Sequence, residues 1–125
     1  MKILYKLIGV SLLLIALSIP QSAISAGHSL KVLGWGAKSG PLKSFGVNSE
    51  AALRSAVKEI NDAGGVRMGD GSMAPMEVIG YEDSACKKDE AIAILRKTAS
   101  TTDAIVGMGT TCSGVCQAMF GVLQK

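Results

Sequence analysis

Residues 76–108 read MEVIGYEDSACKKDEAIAILRKTASTTDAIVGM, and this stretch decides the fold. Met76 to Tyr81 is a short apolar run that ends at the acidic pair Glu82-Asp83, as a buried strand does. Asp89 and Glu90 then open a helix, where its dipole favours anions, and Arg96 and Lys97 lie near its other end. Ala91, Ile92, Leu95 and Ala99 recur at helical spacing and form an apolar stripe. Ala104 to Met108 is a second short apolar run. Strand, helix and strand in this order predict a parallel pair joined by a right-handed crossover.

Working outward, the same alternation continues. Upstream, LKVLGW from Leu30 to Trp35 is a further strand, followed by a turn-rich loop from Gly36 to Gly46. Asn48 or Ser49 is a suitable cap for the next helix, with Glu50 in its first turn. Leu53, Ala56, Val57 and Ile60 share one face of that helix, and Gly64-Gly65 stops it. Residues 66–75 carry no usable pattern and read as irregular. Downstream, the loop GTTCSG from Gly109 to Gly114 leads to a third helix that begins near Val115 and runs toward Lys125. The order is βαβαβα, which predicts an α/β fold: a partial, three-layer, doubly wound parallel sheet. Ligands of such sheets bind beyond the strands' carboxyl ends. Those ends are the loops Gly36 to Gly46, Glu82 to Lys87 and Gly109 to Gly114.

The first twenty-six residues have a different character. Two lysines, Lys2 and Lys6, precede a charge-free run of thirteen residues, LIGVSLLLIALSI, and Pro20 and a small-residue stretch follow. A basic start, a short apolar run and a small-residue exit predict a cleaved secretory signal, because spanning a bilayer takes about 20 apolar residues. Cleavage is expected after Ala26 or after Gly27. The expected domains are therefore a signal over residues 1–26 and a partial lobe over 27–125. The whole chain of 125 residues has 13 basic and 10 acidic side chains. Removing Lys2 and Lys6 with the leader brings the balance close to neutral, which is no footprint for nucleic acid or anionic lipid.

Export places Cys86, Cys112 and Cys116 in an oxidising compartment. Three is odd, so one thiol is left over. Cys112 and Cys116 stand four apart, a poor geometry for a bridge within one helix, and Cys86 with Cys112 is the better pair. A zinc site is not expected, since there is no CxxC and the one histidine, His28, lies at the expected mature terminus.

Gly34-Trp35-Gly36 and Gly107-Met108-Gly109 each contain GxG, but neither completes the GxGxxG of a dinucleotide site. Backbone clearance explains them better, and no cofactor is expected. Thr110, Thr111 and Ser113 put hydroxyls beside a helix N-terminus, which suits an anionic group; capping of the helix would use the same residues. Nucleophilic catalysis has no histidine partner, and Glu82 and Asp83 adjoin rather than face each other. The loops read as binding rather than reacting.

The runs LKVLGWGAKSGPLKSFG, SAVKEINDAGG, VIGYEDSACKKDEA and IVGMGTTCSG, together and in order, resemble the start of a type I periplasmic binding protein. The branch they resemble is the leucine/isoleucine/valine-binding proteins of ABC importers. The resemblance implies a two-lobed protein whose cleft closes on a small solute. It implies that Ser113, followed by Gly114, contacts the carboxylate of an amino acid and that Phe45 lies against the ligand's body; Thr111, from its own place beside that helix N-terminus, is expected to share the anionic end. It also implies the Cys86–Cys112 disulfide that some members carry. This sequence departs from the pattern in three places. Phe45 stands where the branch often has tyrosine, one residue near Ser84 is extra, and Cys116 has no counterpart.

Members are about three times longer, so this chain is expected to be an N-terminal fragment with one wall of the cleft, binding poorly alone. The function expected is the periplasmic solute-binding component of an importer for branched-chain or other amino acids or related amides. Its partners would be that solute and an inner-membrane permease, with no nucleic acid. A sensor lobe feeding a receptor and a non-functional truncation product are the alternatives.

Overall fold

The computed structural model describes residues 28–123. The expected signal and its cleavage sites at Ala26 and Gly27 lie outside the described residues. Three parallel strands form the sheet: β1 (Leu30–Gly36), β4 (Met76–Asp83) and β5 (Val106–Met108), in the order β4-β1-β5. Register runs from Leu30 opposite Met76 to Gly36 opposite Asp83, with a shift after Val32 where Ile79 is skipped. On the other side Val32 lies opposite Val106 and Gly34 opposite Met108.

Helices cover both faces, because β1 alternates. Val32 points to α1 (Lys43–Asp62) and clusters with Leu53 and Val57. Leu33 and Trp35 point the other way, into a core with Ala91 and Leu95 of α2 (Lys88–Thr101) and Val115 and Met119 of α3 (Ser113–Leu123). This is the three-layer, doubly wound arrangement that the strand and helix order predicts.

Several boundaries differ from the sequence expectation. Helix α1 begins at Lys43, directly after a 3-10 turn at Gly40–Leu42, rather than after Asn48 or Ser49. Pro41 presets the turn. Gly46, which reads as a loop residue, is instead buried in the helix, where an added Cβ would lie 2.1 Å from the Ala37 carbonyl oxygen. The helix can therefore start against the loop, and neither Asn48 nor Ser49 caps it. Of the α1 stripe, Leu53 and Val57 are buried while Ala56 is exposed.

In α2 the buried positions are Ala91, Leu95 and Thr98, and Ala99 is exposed. Thr98 is tolerated inside because its hydroxyl donates to the Ile94 carbonyl at 2.9 Å. Residues 66–75 are not irregular: β2 (Val66–Arg67) and β3 (Met73–Ala74) pair antiparallel. The Asp70 carboxylate stabilises their turn by accepting from the Ser72 N–H at 2.9 Å and its hydroxyl at 2.6 Å. Helix α3 starts at Ser113, two residues before Val115, since the Val115 and Cys116 N–H groups already bond the Cys112 carbonyl. Strand β5 is shorter than the apolar run Ala104 to Met108 and is exposed along its length.

Candidate functional site

The order β4-β1-β5 makes the chain leave β1 for one neighbour and return to the other. The connections therefore part at the carboxyl end of β1, and a crevice opens at this switch point. It encloses about 280 Å³ and is lined by Trp35, Ser49, Tyr81, Met108, Gly109, Thr110 and Thr111.

Each lining residue is placed by its element. Trp35 is 6% exposed and lies at the end of β1. Tyr81 follows from β4, its ring passing over β1 where Gly34 and Gly36 leave room. An added Cβ would come within 2.3 Å of the ring at Gly34, and within 2.5 Å of the hydroxyl at Gly36. Gly107 and Gly109 clear Trp35 in the same way. Both GxG motifs are thus clearance for an aromatic ring. Ser49 comes from the second turn of α1 and faces the Tyr81 hydroxyl. Burial raises the Tyr81 pKa, and hydrogen bonding to Ser49 opposes the shift.

The three carboxyl-end loops are tied to one another. The Asp83 carboxylate accepts the Lys38 N–H and the Ala85 N–H, each at 2.8 Å, joining the first loop to the second. The Ser39 hydroxyl and these amides hold the Asp83 pKa below its ordinary value. A disulfide between Cys86 and Cys112, with Cα atoms 5.8 Å apart, joins the second loop to the third. Cys116 is free. Ala85 and Cys86 take left-handed φ values of 47° and 59°, an uncommon conformation for side-chain-bearing residues that the Asp83 bond and the disulfide hold in place.

The charged side chains beside the crevice are paired with one another, two cations on one carboxylate. The Lys38 ammonium lies 5.5 Å from the Tyr81 ring centroid and pairs with Glu50 at 2.5 Å. Glu50 also takes Arg54 at 2.8 Å, and Lys38 first, then Arg54, hold its carboxyl below the usual range.

Of the residues named from sequence, Thr111 lines the crevice. Ser113 and Gly114 stand exposed on the first turn of α3, two and three residues beyond Thr111, and are not among the lining residues. Phe45 lies on the first turn of α1, 57% exposed, also outside the lining. Sequence reasoning missed Ser49, which it read as a cap, and Tyr81, which it read only as a strand end. Tyr81 carried a signal, since it closes the apolar run of its strand and so lies near the ligand end of a parallel sheet, although β4 itself continues through Glu82 to Asp83.

No family model matches this chain, and no curated protein does. Among solved structures, it is similar to the crystal structure of a periplasmic binding protein type 1 from Bordetella pertussis Tohama I. The TM-score is 0.62 at 23% identity, covering 78% of this chain and 25% of that one. The chain thus spans about a quarter of that structure's length. The likeness shows the fold: helices on both faces of a parallel sheet, as in the periplasmic binding protein type 1 architecture.

Proposed function

We propose that this chain forms one wall of an extracytoplasmic solute-binding protein serving an ABC importer, with an amino acid or a related amide as its solute. The observation that carries the reading is the crevice at the switch point, with two threonine hydroxyls at its mouth and the N-terminus of α3 beside them.

The chemistry follows from those groups. The backbone N–H groups of Ser113 and Gly114 begin a helix of 11 residues, where unpaired donors and the dipole favour an anion. The hydroxyls of Thr111 and Ser113 add donors for the solute's carboxylate, and Gly114 brings its N–H without a side chain. Phe45 stands on the neighbouring first turn of α1, where a partner wall closing over the crevice would bring the solute's body against it. Nothing in this arrangement pairs a nucleophile with a base, so the solute is held and released unchanged. Export by residues 1–26 and transfer to an inner-membrane permease complete the role. One wall leaves much of a small solute in water, whereas enclosed pockets bury about 70–90% of theirs, so affinity for this chain alone is weak.

Trp35 is the only tryptophan in the sequence and lies at the crevice, so its emission reports occupancy. Titration with single L-amino acids at millimolar concentration should change that emission saturably. Thr111→Val and Ser113→Ala should each weaken the response by about tenfold, the loss expected for a hydrogen bond to a charged group. Absence of a saturable change with any amino acid would remove the reading.

A further inference from the structure

The wall of the crevice opposite Thr110 and Thr111 is built from Ser49 and Tyr81, and its character is unusual for its surroundings. Three charged side chains, Lys38, Glu50 and Arg54, sit beside it, yet they are engaged with one another: Lys38 and Arg54 both bond the Glu50 carboxylate. What this wall offers a solute is therefore a pair of neutral hydroxyls, each able to donate and to accept. The two cations share one carboxylate, so the cluster carries a net charge of +1 that stays tied up in its own ion pairs. An aliphatic group would take the hydroxyls out of water with only their bond to each other, leaving their remaining donor and acceptor capacity unmet, which costs more than a missing contact. A group that donates and accepts at once meets both hydroxyls.

We propose that Ser49 and Tyr81 determine specificity by selecting solutes whose side chain ends in a primary amide over aliphatic isosteres. This inference rests on the solute-binding reading and names the substrate class of the same crevice. The carboxylate end would lie toward Thr111 and α3, and the amide would lie toward Ser49 and Tyr81.

L-asparagine and L-leucine test this directly, because their side chains branch alike and differ in polarity. The full chain should respond to asparagine, by Trp35 emission, at least tenfold more tightly than to leucine. Tyr81→Phe, which keeps the ring over Gly34 and Gly36, should shrink the asparagine-to-leucine ratio by about tenfold, and Ser49→Ala should shrink it in the same direction. A thermal melt of each variant guards against a ratio changed by misfolding. A wild-type chain that binds leucine as well as asparagine would overturn the inference and leave solute binding standing. So would a ratio that both variants leave unchanged. A chain that binds no amino acid at all would overturn the solute-binding reading and this inference with it.

Discussion

At Gly107 an added Cβ would lie 2.4 Å from Cη2 of Trp35, and at Gly109 another would lie 2.2 Å from the Trp35 carbonyl oxygen. Neither position can accept a side chain unless β1 or β5 shifts. Gly107→Ala and Gly109→Ala should each destabilise the fold by about 1–3 kcal/mol, the usual cost of overpacking, while Gly69→Ala, with nothing within 4 Å, should be close to neutral. Urea midpoints of the three variants check the ranking. The preference for backbone clearance over a dinucleotide motif was thus available from the glycine spacing alone. The identity of the ring was not, because Trp35 reaches Gly107 and Gly109 across more than seventy residues of chain. Ser49 shows the same limit. Its type fits a helix cap, and only the earlier start of α1, fixed by Gly46 packing on Ala37, turns it toward the crevice.

The loops form a series, with Asp83 joining the first to the second and the disulfide joining the second to the third. Replacing Cys86 and Cys112 with serine should cost about 2–4 kcal/mol in the chain-entropy account, and a peptide map without reduction should find that link and a free Cys116. Asp83 gives the loops a pH dependence of known sign. Its folded pKa is depressed, so its contribution is fully present above the unfolded value of about 3.9 and is lost as pH falls through the folded value. Amide exchange at Lys38 and Ala85 should therefore accelerate selectively at acid pH, and Asp83→Asn should abolish that dependence. The order of the three parallel strands and their helices was legible in the sequence, because apolar runs are local patterns. The disulfide partners were legible because Cys112 and Cys116 stand four apart, too close to bridge within one helix. Helix starts at Lys43 and Ser113 and the β2–β3 pair were not, since tertiary packing and an aspartate-braced turn decide them.

Among the described residues, five of the eight exposed large hydrophobic side chains belong to β5, the residue before it and α3. Val106 and Met108 of β5, Ile105 just before it, and Phe120 and Leu123 of α3 are all exposed, and β5 is an edge strand. Uncovered edges of this kind recruit other chains. Sedimentation velocity should show concentration-dependent association, and Val106→Lys should reduce it without abolishing the folded state. The crevice lies at the carboxyl end of the sheet, where Met108 alone of these residues lines it, so solute binding and edge association are separable. In the proposed role, a small solute occupies the crevice between Ser49 and Tyr81 on one side and Thr110 and Thr111 on the other. Amide chemical-shift mapping of the isotope-labelled chain, titrated with L-asparagine, tests it most directly. Shifts should saturate and cluster at Ser49, Tyr81, Gly109 to Thr111, Ser113 and Gly114. Shifts confined to β5 and the far end of α3, or none at all, would contradict it.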